Sequence, residues 1–258
     1  MNMNEQLEKV RRQLATDYNC REEDFLKDGT IFSEARDNPG RRKLFPRQSP
    51  YLEAVTMGKA VIVSADNTVY ESVKSLFESR SREEIFSSPL TFGHTISCIF
   101  DGKTKIEMPQ GFKYSILQEK EIIPLYETTT EFSNAIQYNS DREVKDIIAI
   151  TAEHNGKIIA LAGASEDCED LWQIGIDVLP EYRNKGLASA LVNKLSYKIL
   201  ERGKVPYYSY ASSNISSQRT AIRSGYRPAW VSTYHNTFDK SYPCAEHIEI
   251  RFADRQNE

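Results

Sequence analysis

The sequence predicts a mixed α/β fold in which helices flank a mostly antiparallel central sheet, preceded by a smaller N-terminal α/β domain. Two apolar runs, 147–152 and 158–162, flank an Asn155-Gly156 pair, and Asn-Gly between such runs is the strongest short-range hairpin signal. A third apolar run at 171–178 extends the hairpin into a meander, and a leucine-striped helix follows it. A chain of 258 residues suits one large domain or two modest ones.

The pattern of residues 1–110 predicts a small domain of helices and strands. It contains no motif that indicates a substrate. Its predicted elements are a helix striped by Leu7, Val10, Leu14 and Tyr18, a loop at 37–43, a strand at 60–63, a helix striped by Val69, Val73, Leu76 and Phe77, and a strand at 95–100. We expect Asp66 or Asn67 to cap the second helix. The domain can shape an acceptor pocket, be a degenerate partner of the second fold, or serve dimerisation.

Pro109 and Gly111 mark the predicted boundary, so that residues 111–258 form the second domain. Its predicted elements, besides the meander, are a strand at 112–117, a helix from 121 to 139, a helix striped by Leu187, Leu191, Leu195 and Ile199 and stopped near Gly203, a strand at 206–210, a helix from Asn214 to Gly225, and strands at 229–234 and 247–252.

Composition and charge narrow the class of protein. The chain is 40% hydrophobic and 27% charged, as is ordinary for a globular protein with a core. Its formal net charge of −4 gives no support for binding nucleic acid or an anionic membrane surface. No apolar run approaches the roughly 20 residues that a membrane span requires.

The cysteines and the N-terminus suggest a compartment. Cys20, Cys98, Cys168 and Cys244 lack the paired spacing of a zinc or redox site. Because no cluster of histidine, cysteine and carboxylate residues has ligand spacing, we expect no metal. The polar N-terminus leads into a charged helix and does not resemble a signal peptide. We therefore expect a cytoplasmic protein with reduced thiols.

The stretch 178–189 joins a predicted strand to a predicted helix through a basic turn that contains glycine. Such a turn directs free backbone N–H groups and the positive end of the helix dipole at a phosphate. Gly186 lets the backbone approach an anion, and the small Ala188 and Ser189 leave the donors unobstructed. Taken alone, this stretch leaves open a plain strand-to-helix connection on a charged surface.

Arg183-x-x-Gly186-x-Ala188 resembles the Arg/Gln-x-x-Gly-x-Gly/Ala signature of the GNAT superfamily of N-acetyltransferases. Downstream, Asn214 and Ser217 lead to a Gly225-Tyr226 pair, which is similar to the second cofactor segment of that family. The resemblance covers residues 111–258. The order and spacing of both segments favour an acyl-CoA site over a plain connection.

The resemblance implies where acetyl-CoA binds. The residues that it assigns to the cofactor are Ile176, Val178, Arg183, Asn184, Lys185, Gly186, Leu187, Ala188, Ser189, Asn214 and Ser217. The pyrophosphate is expected at the turn, although Arg183 can instead brace that loop. The pantetheine arm is expected between two splayed parallel strands, which separate because Pro180 cannot donate to a sheet.

Two positions depart from the family pattern of proton-transfer groups. The family's general-acid tyrosine corresponds to Ala221, and its glutamate on the preceding strand corresponds to Ser209. We therefore name Tyr210 as a candidate donor to the thiolate and Asp177 as a candidate base acting through water. Sheet packing is the structural alternative for Tyr210, and bracing of a loop or exposure to solvent is the alternative for Asp177.

The sequence predicts an N-acetyltransferase that moves an acetyl group from acetyl-CoA to a primary amine by direct attack in a ternary complex. The alternative is a non-catalytic acyl-CoA-binding regulatory module, since both family proton-transfer groups are missing. The expected acceptor is a small-molecule amine or a peptide, and the expected assembly is a monomer or homodimer. A dinucleotide site is disfavoured, because a Gly-x-Gly-x-x-Gly run is absent and the preceding strands form a meander.

Overall fold

The computed structural model describes residues 1–42, 50–91, 93–141 and 143–233. The chain divides into two compact units. Among the described residues, the first unit comprises 1–10, 42 and 97–228, and the second comprises 11–41, 50–96 and 229–233. The sequence suggested a single boundary at 110/111, whereas the first unit also takes in residues 1–10 and 97–110.

Hydrogen bonds explain why these earlier residues belong to the first unit. The Thr104 carbonyl accepts from Asn193 Nδ2 at 2.9 Å and from the Tyr197 hydroxyl at 3.0 Å. Gln6 Nε2 donates to the Phe100 carbonyl at 3.0 Å. These bonds join residues distant in sequence, so composition around Pro109 and Gly111 does not reveal them.

Helices lie at α1 (Met3–Asp17), α2 (Tyr70–Phe77), α3 (Arg82–Phe86), α4 (Glu119–Ile122), α5 (Leu125–Thr128), α6 (Leu187–Glu201) and α7 (Ile215–Arg223). Strands lie at β1 (Thr30–Glu34), β2 (Leu52–Thr56), β3 (Val61–Ala65), β4 (His94–Phe100), β5 (Lys113–Gln118), β6 (Asp146–His154), β7 (Lys157–Glu166), β8 (Leu171–Val178), β9 (Val205–Ala211) and β10 (Tyr226–Thr233). None of the helices in the described residues is long and apolar enough to cross a membrane.

The second unit contains a small sheet with the short helices α2 and α3 packed against it. Strand β3 pairs in parallel with β1 and antiparallel with β2, and the end of β10 pairs antiparallel with β2. The core contains residues of β2 and β3 together with Val73 and Phe77 of α2 and Ile85 of α3. The predicted strand at 60–63 and the predicted second helix are therefore confirmed.

The expected cap of that helix is wrong. Its N-cap is Val69, which makes no side-chain capping bond. The Asp66 carboxylate instead accepts from the N–H groups of Thr68 and Tyr51, at 3.1 and 2.9 Å. It therefore stabilises the turn that precedes the helix, a local arrangement that competes with capping.

The first unit contains the predicted mixed, mostly antiparallel sheet, with the strand order β4-β9-β8-β7-β6-β5. Neighbouring strands from β5 to β8 pair antiparallel, and β8 pairs in parallel with β9. The hairpin turn has φ of 52° at Asn155 and 78° at Gly156, as a type I′ turn requires. The helix stripe of Leu187, Leu191, Leu195 and Ile199 is fully buried, so the prediction of α6 is confirmed.

The predicted helix from 121 to 139 is wrong beyond residue 128. Two short helices, α4 and α5, meet at Pro124, and the described residues between α5 and β6 contain no helix. Phe132, Ala135 and Ile136 are buried at helix-like spacing, but they belong to a loop that packs on the sheet. The spacing reflected burial of a loop and not helical periodicity.

Of the two strands predicted near the C-terminus, the structure describes most of the first and none of the second. Strand β10 runs from Tyr226 to Thr233, so it begins three residues before the predicted start at 229. Residue 234 and the predicted strand at 247–252 lie outside the described residues.

Candidate active site

Strands β8 and β9 separate after a short parallel ladder. Their pairing runs from Leu171 with Val205 to Gln173 with Tyr207. Beyond that pair β8 continues to Val178 and β9 continues to Ala211. The expected splay is present, but it opens well before Pro180, which instead begins a short 3₁₀ segment. Pro180 therefore ends β8 and is not what separates the strands.

A cavity of about 380 Å³ occupies the opening between these strands. Its lining comes from β8, β9, the start of α7, the ends of β6 and β7, and the loop before β6: Asn134, Ala135, Gln137, Asp146, Gly163, Ser165, Gln173, Ile174, Gly175, Ile176, Tyr208, Ser209, Tyr210, Ala211, Asn214 and Ser217. The inward-facing edges of both strands supply backbone N–H and C=O groups that the ladder no longer pairs.

The N-terminus of α6 presents unpaired donors at the exposed turn. The first bond within the helix runs from Ala190 N–H to the Gly186 carbonyl at 3.1 Å. The N–H groups of Leu187, Ala188 and Ser189 therefore have no partner within the helix. Gly186 is the N-cap, with φ of +80°, a left-handed backbone that favours glycine. Together with the helix dipole, this is an arrangement that binds anions.

The basic residues of the turn have local partners. Arg183 Nε donates to the Val178 carbonyl at 3.1 Å, so this side chain braces the loop as the sequence allowed. Lys185 Nζ lies 4.9 Å from the centre of the Tyr182 ring. Asn184 has φ of +61°, and asparagine tolerates that left-handed conformation better than most residues. The turn is thus held in shape before any ligand binds.

Asn214 and Ser217 lie across the splay at the start of α7. The Asn214 Oδ1 accepts from the Ser217 N–H at 3.0 Å, so Asn214 is the N-cap of this helix. Both residues also line the cavity, as does Ile176 of β8. The cap orients the Asn214 amide at the cavity wall.

One wall of the cavity is a loop that crosses the sheet closely. Gly163 of β7 pairs with Gly175 of β8, and the backbone of residues 134 and 135 passes over both. A Cβ added at Gly175 would lie 1.7 Å from the Asn134 carbonyl oxygen. Only glycine at these two positions lets the loop pack on the strands this closely.

Asp177 holds this loop in place. Its Oδ2 accepts from the backbone N–H groups of Asn134 and Ala135, at 2.7 and 3.1 Å, and its Oδ1 accepts from Asn134 Nδ2 at 2.6 Å. The geometry is that of the loop-bracing carboxylate that the sequence left open as the alternative to a base.

Residues 114–226 match the family model described as the acetyltransferase (GNAT) family. Residues 114–226 form a GNAT domain. The match covers the splayed strands, the turn before α6 and the start of α7, so the predicted family is confirmed on the part of the chain that carries the site.

Solved structures similar to this chain include GNAT proteins. One from Novosphingobium aromaticivorans is 24% identical, with 55% of this chain and 63% of that chain covered and a TM-score of 0.42. An acetyltransferase from Colwellia psychrerythraea is 15% identical, with 56% of each chain covered and a TM-score of 0.42. A tandem GNAT protein from the clavulanic acid biosynthesis pathway is 10% identical, with 70% and 63% covered and a TM-score of 0.41. This chain spans less than two thirds of each. No curated protein matches it.

Two tyrosines of the GNAT domain reach the cavity from β9. Tyr208 and Tyr210 share one face, with ring centres 6.4 Å apart, and each is 5% exposed. Burial raises the pKa of Tyr210, and a hydrogen bond with the Cys98 thiol, 3.7 Å away, raises it further. Burial also raises the pKa of Tyr208, against a hydrogen bond with Ser217. Both hydroxyls therefore remain protonated at neutral pH and can donate.

The two positions that depart from the family pattern, Ala221 and Ser209, do not supply the missing proton-transfer groups. Ala221 is fully buried in α7 of the GNAT domain. The Ser209 hydroxyl lies 2.8 Å from the Ser97 hydroxyl of β4, so it links two strands. Of the predicted catalytic residues, Tyr210 lines the cavity, whereas Asp177 stands behind the loop that lines it.

Sequence reasoning missed the polar lining on β6, β7 and β8. Asp146, Ser165 and Gln173 lie in or at the ends of apolar runs, and their proximity depends on strand register. A signal was present in Gly163 and Gly175, because glycine inside a predicted strand marks close approach by another backbone. The two glycines indicate that a loop packs on the strands, but they do not indicate that Asp146, Ser165 and Gln173 line the cavity.

Proposed function

We propose that the GNAT domain is an N-acetyltransferase that moves an acetyl group from acetyl-CoA to a primary amine by direct attack in a ternary complex. The observation that carries this proposal is the opening between β8 and β9, whose lining includes Asn214 and Ser217 at the start of α7. Acetyl-CoA supplies the activated acyl group as a thioester.

The turn before α6 fits the pyrophosphate. The N–H groups of Leu187, Ala188 and Ser189 and the helix dipole favour two phosphate groups, and Lys185 adds positive charge. The edge of β8 at Ile176 and Val178 fits the amides of the pantetheine arm. The Val178 carbonyl already accepts from Arg183, and a second lone pair leaves it able to accept again. Asn214 and Ser217 bind from the opposite side.

The Tyr210 hydroxyl is the proton donor to the departing thiolate in this proposal. It is buried, lines the cavity and keeps its proton at neutral pH because its pKa is raised. The amine loses its proton to water, since the Asp177 carboxylate is occupied by three donors of the loop. The chain contributes mainly by positioning the two reactants.

A non-catalytic acyl-CoA-binding module is the second candidate. The observation that favours it is the replacement of both family proton-transfer groups by Ala221 and Ser209, neither of which can take over that role. The binding module predicts that acetyl-CoA binds and that no amine is acetylated. The acetyltransferase predicts both binding of acetyl-CoA and acetylation of an amine.

The test measures acetyl-CoA binding by calorimetry and release of free thiol across a panel of primary amines. Gly186→Ala should weaken acetyl-CoA binding about tenfold, because alanine resists the left-handed backbone by 1–2 kcal/mol. Gly203→Ala is the matched control, since Gly203 has φ of +74° just beyond the other end of α6. Equal affinities for both variants would remove the turn from the pyrophosphate site, and no binding at all would overturn the proposal.

We further propose that the reaction takes place in the cytoplasm on a small-molecule or peptide acceptor. Cys20 and Cys98 are free thiols. Free thiols are the usual state of cysteines in a reducing compartment.

A further inference from the structure

A row of polar side chains crosses four neighbouring strands of the GNAT domain. Asp146 of β6 pairs with Ser165 of β7, Ser165 pairs with Gln173 of β8, and Gln173 pairs with Tyr207 of β9. Directly paired residues share a face of the sheet, so these four side chains stand side by side. The first three line the cavity.

The row lies on the face opposite α6. Tyr208 packs on Tyr226 with ring centres 5.9 Å apart, and the Tyr226 hydroxyl lies 2.6 Å from the Ser196 hydroxyl of α6. Since side chains alternate along β9, Tyr207 and its partner Gln173 face the other way. The cavity is therefore lined from both faces of the sheet, by Tyr208 on the face of α6 and by the polar row on the other face.

Gln173 stands where the two strands part. It belongs to the last pair of the parallel ladder, and its Oε1 accepts weakly from the Tyr207 hydroxyl at 3.4 Å. Tyr207 makes its shorter bond to Asp167. The Gln173 amide group thus has two N–H donors at the point where the cavity passes through the sheet.

Its neighbours are held as a fixed polar surface. The Ser165 hydroxyl donates to Asp167 Oδ1 at 2.8 Å and keeps its lone pairs for a ligand. Asp146 Oδ2 accepts from the Tyr126 hydroxyl at 2.5 Å and from the Gln137 N–H at 2.7 Å. These bonds fix the orientation of each group before a ligand arrives, which limits the entropy lost on binding.

We propose that the acceptor is a small hydrophilic amine that carries hydroxyl or amide groups beside the amino group, bound on this row with Gln173 as its main contact. This inference rests on the proposed function. The cavity of about 380 Å³ must hold the thioester end of the cofactor as well as the acceptor, and ligand pockets span roughly 300–1,000 Å³. The part of the acceptor that lies inside the cavity is therefore small, about the size of a single amino sugar.

Polarity, and not only size, selects the acceptor. An apolar amine of equal size would leave the N–H donors of the Gln173 amide and the lone pairs of the Ser165 hydroxyl unpaired after displacing water. A site built to hydrogen-bond a hydroxyl rejects the analogue that lacks it far more strongly than an apolar pocket rejects an added group. The row therefore discriminates against aliphatic and aromatic amines.

The experiment compares D-glucosamine with cyclohexylamine as acceptors for the full chain with saturating acetyl-CoA. Both carry one primary amine on a six-membered ring, and only the first has hydroxyl groups around it. We expect kcat/KM to favour D-glucosamine by about 100-fold. Gln173→Leu should reduce this preference about tenfold, the value of one lost hydrogen bond, with the KM for acetyl-CoA unchanged. The control is Gln118→Leu, the same change at an exposed residue of the edge strand β5.

The outcomes separate this inference from the proposed function. Turnover with equal or greater preference for cyclohexylamine would overturn the inference and leave the acetyltransferase intact. Turnover of other amines with neither probe accepted would also overturn it. Binding of acetyl-CoA without turnover of any amine would instead overturn the acetyltransferase. The comparison on the unsubstituted chain stands even if Gln173→Leu fails to fold.

Discussion

Gly163 and Gly175 are direct partners across β7 and β8, and together they form a flat site over which residues 134 and 135 pass. A Cβ at Gly163 would lie 2.0 Å from the Ala135 carbonyl oxygen, and one at Gly175 would lie 1.7 Å from that of Asn134. Both neighbours are backbone atoms, which cannot move aside by rotating a side chain. The glycine pair therefore sets how closely one wall of the cavity approaches the sheet.

Gly175→Ala should displace the loop and destabilise the first unit by about 1–3 kcal/mol, as overpacking does. The control is Gly111→Ala, because Gly111 has open space around an added Cβ and only a left-handed backbone, φ +87°, to resist it. Thermal unfolding should show the larger loss for Gly175→Ala, with acceptor KM raised more than the KM for acetyl-CoA. A smaller loss than that of Gly111→Ala would mean that the loop yields easily.

Substitutions of Asp177 distinguish a brace from a base. An asparagine at 177 keeps one oxygen for the N–H groups of residues 134 and 135, so Asp177→Asn should retain most activity. Asp177→Ala removes all three bonds and should loosen the loop, seen as faster amide exchange at 134 and 135. If Asp177 were the base, both variants would be equally inactive. Equal loss in the two variants would therefore contradict the bracing role.

Tyr210→Phe should lower kcat by about 100-fold while the affinity for acetyl-CoA changes little, because general acids contribute 10²–10⁴-fold. The matched control is Tyr208→Phe on the same face of β9. Since the pKa of Tyr210 is raised, its hydroxyl should not titrate below about pH 10, the ordinary tyrosine value. The pH profile should therefore show no alkaline fall from Tyr210 below that value. Equal kcat for both variants would remove Tyr210 from the proposed chemistry.

Asp101 should contribute stability that depends on pH. Burial raises its pKa, but hydrogen bonds from Thr104 and Lys103, with the nearby Arg227 charge, lower the pKa below its usual value overall. A group with a depressed folded pKa stabilises fully above its unfolded value, about 3.9, and loses that contribution as the pH falls through the folded value. The stabilisation is therefore expected at neutral pH and lost in acid.

Asp101→Ala should accordingly cost about 1–3 kcal/mol at pH 7, since three donors lose their acceptor. The difference from the unsubstituted chain should shrink below about pH 4. Denaturant unfolding at both pH values measures it, with Asp141→Ala at an exposed position as control. A difference that stays constant into acid would show that the carboxylate charge is not the source.

Local patterns accounted for much of the fold. The Asn155-Gly156 turn and the stripe of α6 were predictable because each follows from short-range sequence and periodicity. The helix predicted to 139 failed because Ala135 and Ile136 are buried by packing on a glycine pair more than 20 residues away in the sequence. Asp66 failed as a cap because two nearby N–H groups compete for its oxygens.

In the candidate site, too, the features with local sequence patterns were predictable and those that depend on tertiary packing were not. The turn at Gly186 and the cap at Asn214 have local signatures, and the structure shows Gly186 as the N-cap of α6 and Asn214 as the N-cap of α7. The polar row from Asp146 to Gln173 depends on register across three strands, and Asp177 depends on a loop distant in sequence. These tertiary relationships leave no local pattern, so the acceptor side lay beyond prediction.

Amide hydrogen exchange of the full chain, with and without CoA, tests the central claim most directly. If CoA binds in the splay, protection should rise at the start of α6, residues 187–189, and along the facing edges of β8 at 174–178 and β9 at 208–211. The hairpin turn at 155–156 should be unaffected and serves as the internal reference. Protection elsewhere, or none in these three segments at saturating CoA, would contradict the account.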